Sequence, residues 1–503
     1  MTLGQMLEGV HIPENLSAVP VTGLQYDSRK LSRGEVFFAF PGEHLDGHRF
    51  IPQAIERGAT AIVSEQPPGD AQPASVPWIQ ASHGREALAL ASRNFYGRPD
   101  SRLSLTGVTG TNGKTTTVYL VDALLRAAGY TTARFGTIDY TIAGRSRTAV
   151  NTTPESLDLV RLFAELEQQG GTHATLEVSS HALELRRVYG LQFHTVVFTN
   201  LTRDHLDFHG TMENYAAAKR RLLEGAGGPK PRFAVIHHGD PWGRKWEKLG
   251  GFEALTYGLN ESAAIMARRL ECDSTGVRFE ASTPAGNFPV RSPLLGRFNA
   301  LNLLAAVGVG LSYGLKPERI AAGLSECRHV PGRFERVDEG QPFVVAVDYA
   351  HTDDALRNLI RAARQLTSAE TPPGRVITLF GCGGNRDRAK RPLMGEAAGS
   401  LSDLVLLTSD NPRGEDPLNI INDAVIGLQR VNGRYQVEPD RATAIRKAIS
   451  QARTGDIVLL AGKGHETYQV QGANVIPFDD REVARQALHE LGYQVAPGAP
   501  LWK

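Results

Sequence analysis

The sequence predicts an α/β protein of three domains, with parallel sheets covered by helices. Three observations carry that reading. A unit recurs in which a short β-branched run is followed by a glycine-rich or polar loop and then a helical stretch, the pattern of strand–crossover–strand folds. The chain has 503 residues, and at ~150 residues per domain the length suggests about three. Two polar seams, FYGRPDSR (95–102) and HVPGRFERV (329–337), cut it into 1–98, 99–333 and 334–503. The first clear unit is RLSLTGVTGTNGKTTTVYLVDALLRAAGY (102–130), closed by Gly129 in a helix-stop position. Others begin at 343 (FVVAVDYAHTDDALRNLIRAAR) and 375 (RVITLFGCGGNRDRAKRPLMGEAA). DLVLLTSDNPRGEDP (403–417) and DIVLLAGKGHETYQV (456–470) add two more apolar runs with loops behind them. In such sheets ligands sit beyond the strand C-termini, so these loops are the candidate sites.

Composition narrows the function classes. The 55 Lys and Arg against 54 Asp and Glu leave a net charge of +1, without the bulk basic excess of nucleic-acid binders. The 41% hydrophobic content excludes a mainly disordered chain. Cys272, Cys327 and Cys382 form no C-x-x-C pair and are too few for a disulfide framework. The first basic side chain is Arg29, no signal-like segment opens the chain, and no apolar run approaches the ~20 residues of a membrane span. A soluble cytoplasmic protein is expected, with no membrane insertion and no nucleic-acid partner. Glycine and proline together make about 16% of the chain against ~12% on average, an excess of tight loops.

One of those loops is informative in itself. Gly110, Thr111, Asn112, Gly113, Lys114, Thr115 and Thr116 follow an apolar run and open a helix. Glycines let backbone N–H groups approach phosphates, and the helix N-terminus favours anions. Lys114 would reach the terminal phosphates and the Thr115 hydroxyl would ligate Mg²⁺. Val108 stands where the general phosphate-loop pattern has its first glycine. ATP or a close relative is the expected ligand.

GTNGKTT, LEVSSHAL (176–183), TNLTRDHLDFHG (199–210), FNALNLLAA (298–306), VPGRFERV (330–337) and VDYAHTDDAL (347–356) occur in this order over nearly the whole chain. Together they resemble the Mur ligase family, the ATP-dependent amide-forming enzymes of peptidoglycan precursor synthesis. The resemblance implies a central P-loop ATPase-type parallel sheet, a C-terminal Rossmann-like domain that seats the amino acid, and a smaller N-terminal α/β domain that holds UDP. It implies an acyl phosphate, made from a carboxylate and ATP and then attacked by an amine. Such phosphoryl transfer needs Mg²⁺ and cations around the γ-phosphate.

The resemblance also assigns residues. Thr115, Glu177 and His205 would lie in the metal region, with Lys114, Lys219 and His205 catalytic. Lys219, which on its amphipathic helix reads as a solvated residue, would instead be carbamylated by CO₂, and that requires a neutral amine. ATP would also meet Asn299, Arg333, Asp348 and His351. Ser28, Glu43, His44 and Leu45 would contact the UDP part, and Asn151, Thr152, Thr153, Ser179 and Arg187 the muramoyl peptide. Tyr26 and Leu185 depart from the family pattern, which often has leucine and glutamine there. A competing reading of His205 and His209 is a zinc pair at i, i+4 on one helix face, without a general-base glutamate between them.

Asp410, Asn411, Pro412 and Arg413 follow the run DLVLLTS. Within the family, DNPR marks addition of meso-diaminopimelate to UDP-N-acetylmuramoyl-L-alanyl-D-glutamate. Diaminopimelate differs from lysine by one carboxylate, which an arginine fork pairs bidentately. Arg386 is the second candidate clamp, and Gly462 and Glu466 complete the set, with Glu466 toward the distal ammonium. The cluster Arg386, Arg388, Lys390 and Arg391 fits an acidic small substrate better than DNA. A folylpolyglutamate synthetase shares the chemistry but lacks DNPR and a uridine-type front segment. A regulator without activity would show gaps at Lys114, Glu177, His205 or Lys219. The expected protein acts as a monomer on small molecules.

Overall fold

The computed structural model describes residues 1–42, 45–68, 76–259, 262–273, 275–367 and 373–494. Glu43 and His44 therefore lie outside the described residues. Three main sheets follow one another along the chain.

The first has four parallel strands, Gly23–Gln25, Glu35–Ala39, Ala61–Ser64 and Trp78–Gln80, in sequential order. The amphipathic helix Gly84–Phe95 packs its Ala87, Leu88 and Ala91 into this layer's core with Leu3, Met6, Val36 and Phe38.

The second sheet has eleven strands between residues 104 and 292. Its centre is parallel. Ser104–Thr109 lies between Phe193–Phe198 and His173–Glu177, and these strands are buried on both faces, as near-continuous apolar runs require. The parallel sheet expected from the sequence forms this centre, and antiparallel strands extend it at both edges. Asp139–Ile142 and Arg145–Thr148 fold back antiparallel at one edge, and Gly276–Thr283 and Gly286–Ser292 at the other. Asp139–Ile142 and Gly286–Ser292 alternate between buried and more exposed residues, whereas the outermost strand Arg145–Thr148 is exposed throughout. Helices Lys114–Ala127 and Arg297–Ser312 cover one face through Leu120, Leu124, Leu303 and Val307.

The third sheet has six strands in the order Glu335–Val337, Val344–Asp348, Ile457–Ala461, Val376–Phe380, Leu404–Leu407 and Tyr435–Val437. All neighbours are parallel except the first pair. Helices Asp353–Thr367, Lys390–Leu401 and Pro417–Arg430 follow three of the strands predicted above. The run after Ile457–Ala461 leads instead into a hairpin, Tyr468–Gln471 with Asn474–Pro477. Among the described residues no helix is long and apolar enough to cross a membrane.

Candidate active site

The phosphate loop is shaped by its neighbours. Gly110 (φ +150°) and Gly113 (φ +87°) leave no room for a side chain: a Cβ would come within 1.8 Å of Thr199 Oγ1 and 2.4 Å of Asn302 Oδ1 respectively. Asn302, three residues after Asn299 on one helix, thus packs against the loop. It also donates to Asn299 Oδ1 at 2.9 Å, and Asn299 donates to Leu295 O. The loop is tied to the segment after Phe193–Phe198: Thr111 N–H donates to Asn200 O, Asn112 N–H to Asn200 Oδ1, and Thr199 Oγ1 to Asn112 O. Thr116 is buried in the first turn of the helix that follows.

Lys114 Nζ donates to Gly110 O and Thr111 O at 2.9 and 2.8 Å. Lys219, 1% exposed, donates to the same Gly110 O at 2.8 Å and lies over the Tyr215 ring. Burial holds the Lys219 amine well below the usual lysine range, and the Lys114 charge pushes the same way. Desolvation also lowers Lys114 itself. Lys219 is therefore not the solvated residue its helix alone suggests.

Glu177 ends its strand buried and accepts from Thr137 N–H and Oγ1. Thr115 Oγ1 accepts from Arg333 Nη2 at 3.1 Å, and Arg333 lies over the Tyr349 ring. The Asp348 carboxylate accepts from Phe334 N–H and Ala350 N–H, fixing the Arg333 turn, and burial raises its pKa. His351 bonds Tyr349 O and is held below the ordinary histidine value by burial.

His205 and His209 do not share a helix face. Their helix is only Leu206–His209, and His205 precedes it at φ +53°. His209 is buried against Ser180 Oγ at 2.9 Å, while His205 sits 3.3 Å from the Asp204 carboxylate. Among the described residues no three His, Cys, Asp or Glu side chains are grouped to hold a metal ion, so the zinc reading has no ligand set. Thr115 and Glu177 carry hard oxygen donors, the class of ligand that Mg²⁺ takes.

A cleft of about 600 Å³ opens between the second and third sheets. Asn151, Thr152, Ser179, Leu185, Arg187 and His205 line one wall, and His351, Arg386, Asp410, Asn411, Arg413, Gly462 and Glu466 the other. Thr153 is buried behind the first wall, where its hydroxyl accepts from Ser179 N–H and donates to Glu177 O. Ser28 is also buried and donates to Gln53 Oε1. Leu45 is 61% exposed. Neither Ser28 nor Leu45 lines this cleft. Pro412 packs its carbonyl against Gly384.

Arg413 has φ +51°, held by backbone bonds to the hairpin at Val470 O and Gly472 N–H. Its guanidinium donates to Gly384 O at 2.9 Å, and burial, then Arg386, lowers its pKa. The basic cluster divides, which corrects its reading as one substrate-facing patch. Arg391 is 1% exposed and forks onto Glu415 and Asp423, and Arg388 pairs with Asp423. Their charges are neutralised inside the domain. Arg386, Lys390 and Arg391 all line the cleft, Arg391 with its charge already paired, and Lys390 lies 3.4 Å from Asp204 across it. Asp204, Asp354 and Asn302 were not singled out from sequence, although Asp204 adjoins His205 and Asn302 repeats Asn299 at i+3.

Family models match three stretches: Mur ligase family, catalytic domain (20–96), Mur ligase middle domain (108–310) and Mur ligase, glutamate ligase domain (332–464). The chain belongs to the Mur ligase family. A Solibacter usitatus protein named UDP-N-acetylmuramoyl-L-alanyl-D-glutamate–2,6-diaminopimelate ligase is 58% identical to this Mur ligase over 499 residues, 98% of this chain and 99% of that one. One of the same name from Geobacillus thermodenitrificans is 46% identical over 474 residues, 93% of this chain and 95% of its own length. A solved structure of a ligase so named is 34% identical, with TM-score 0.70, covering 98% of this Mur ligase and all of that chain.

Proposed function

We propose that this Mur ligase joins meso-diaminopimelate to UDP-N-acetylmuramoyl-L-alanyl-D-glutamate at the expense of ATP, in peptidoglycan precursor synthesis. The observation that carries the reading is the meeting of two residue sets in one cleft: Ser179, Arg187 and His205 face Arg386, Arg413, Asp410 and Glu466. The names borne by relatives at 58% and 46% identity agree with it.

Segment 1–98 holds the UDP end, 99–333 binds ATP, and 334–503 seats the amino acid. A D-glutamate carboxylate attacks the γ-phosphorus and ADP leaves. The diaminopimelate amine then attacks the acyl carbon, loses a proton, and phosphate departs. The backbone N–H groups of Gly110–Thr116 cradle the phosphates, while Lys114 and Arg333 balance charge as it develops. Mg²⁺, held by Thr115 and Glu177 with His205 near, would supply Lewis-acid charge neutralisation. The depressed amine of Lys219 is a nucleophile toward CO₂. It forms a C–N bond and sheds a proton, replacing a buried cation with a carboxylate beside Gly110. Arg413 and Arg386 clamp the carboxylate that lysine lacks. The protein works as a cytoplasmic monomer, with no nucleic acid and no membrane insertion.

The deciding assay supplies UDP-N-acetylmuramoyl-L-alanyl-D-glutamate, ATP and Mg²⁺ and compares phosphate release with meso-diaminopimelate and with lysine. Diaminopimelate should dominate. Equal or greater turnover with lysine would sink the specificity.

A further inference from the structure

Beneath the amino-acid wall lies a lysine the mechanism above does not use. Lys463, between Gly462 and Glu466 in the loop after Ile457–Ala461, is wholly buried. Its Nζ lies 3.0 Å from Glu466 Oε2, 3.3 Å from Asn411 Oδ1 and 3.5 Å from Asp410 Oδ1. Asp410 Oδ1 is itself buried and receives no hydrogen bond; the Lys463 ammonium is ion-paired with it, and Arg413 and Arg441 also interact with this carboxylate. Asn411 has its amide orientation dictated. Its Oδ1 accepts from Lys463 and from Val470 N–H at 2.9 Å, which turns its Nδ2 onto Glu466 Oε2 at 2.9 Å. The other oxygen of Asp410 would stand 3.2 Å from a Cβ at position 462, so a glycine there keeps the carboxylate close.

Removing an ammonium from water is costly, and an apolar side chain of similar length fills such a space at less cost. A lysine kept there has work that needs its charge. Two carboxylates, Asp410 and Glu466, converge on one wall of the cleft and repel each other. The buried ammonium between them cancels that repulsion and fixes their directions and the flip of Asn411.

We infer that Lys463 is a positioning residue for the ammonium end of the incoming amino acid: it holds Asp410, Asn411 and Glu466 in the one arrangement that receives a substrate cation. This rests on the functional reading above. The test compares wild type with Lys463→Met in steady-state kinetics, and adds 2-aminopimelate, which has one amino group fewer than diaminopimelate, as a competitor. Lys463→Met should raise KM for meso-diaminopimelate on the order of 10–100-fold. The KM values for ATP and the nucleotide substrate should move less than about twofold, since the lysine touches neither phosphate loop nor nucleotide wall. The preference for binding diaminopimelate over 2-aminopimelate should shrink toward unity. Combining Lys463→Met with Glu466→Gln should cost less than the two changes added, because the lysine acts through that carboxylate. If Lys463→Met does not fold, Lys463→Gln, which keeps a donor without the charge, is read in the same way. Unchanged KM for diaminopimelate, or a parallel rise in all three KM values, would overturn the inference. A wild-type enzyme that fails to use diaminopimelate would overturn the functional reading instead.

Discussion

Lys219 shows how a single side chain can mean opposite things before and after folding. Its helix alone gives a surface lysine, but helix Met212–Leu223 turns it inward to Gly110 O. Burial and Lys114 then lower its pKa. Its proton is therefore lost at a pH well under the ordinary lysine range, and acidification through the lowered pKa restores the cation. Carbamate should form where the amine is neutral and be released as pH falls through that lowered pKa. Carbon-13 NMR with labelled CO₂ should report one buried carbamate, absent in Lys219→Met, whose turnover should fall roughly 100-fold or more. An active enzyme with an unmodified lysine would refute this. Arg413→Lys tests the opposite wall. Losing the fork should raise KM for diaminopimelate on the order of 10–100-fold while KM for ATP changes little. Comparable rises in both would mean that the arginine does not read the amino acid. The DNPR string made Arg413 legible in sequence. Lys463 was not, because nothing local distinguishes a lysine under a site from one beside it.

Among elements, the strand ends of the third sheet are braced by one buried ion pair. Arg441, at the start of helix Arg441–Ser450, forks onto Asp480 with both side chains wholly buried. The same guanidinium donates to Ser409 O and Ala461 O, the residues just before Asp410 and Gly462. It therefore fixes the two loops that carry Asp410 and Gly462 into the cleft wall. Arg441→Met strands the Asp480 carboxylate and should destabilise the fold by about 3–5 kcal/mol, read by denaturant unfolding. A loss under ~1 kcal/mol would show that water or another group takes over the carboxylate. The parallel strands were legible as apolar runs with loops behind them. The antiparallel edges were not, since Arg145–Thr148 is exposed throughout and has no apolar signature.

Across the whole molecule, the candidate site lies where separate sheets meet. Asp354, on helix Asp353–Thr367, accepts from Asn112 Nδ2 of the phosphate loop and from Thr202 Oγ1, both at 3.0 Å. Arg333 reaches Thr115, and Lys390 reaches Asp204. At the other seam Tyr26 donates to Asp158 at 2.7 Å, giving that departure from the family pattern a bridging contact, and Arg85 pairs with Glu155. Asp354→Ala should raise KM for ATP about 3–10-fold by freeing the loop from the third sheet, with KM for diaminopimelate nearly unchanged. Equal effects on both would place the contact in general stability. The sequence by itself determined the phosphate loop and the strand-end loops, because these depend on residue type at fixed local spacing, while DNPR stood out through the family resemblance. It also singled out Lys114, Arg187, Arg333, Arg386 and Arg413 as the cations expected to meet ligand anions. Only the tertiary structure decided which charges remain for a ligand. Arg391 and Arg441 are consumed by internal carboxylates, whereas Lys219 and Lys463 are driven into desolvated positions, and each outcome involves partners from 24 to 109 residues away, Lys463 adding its near neighbour Glu466.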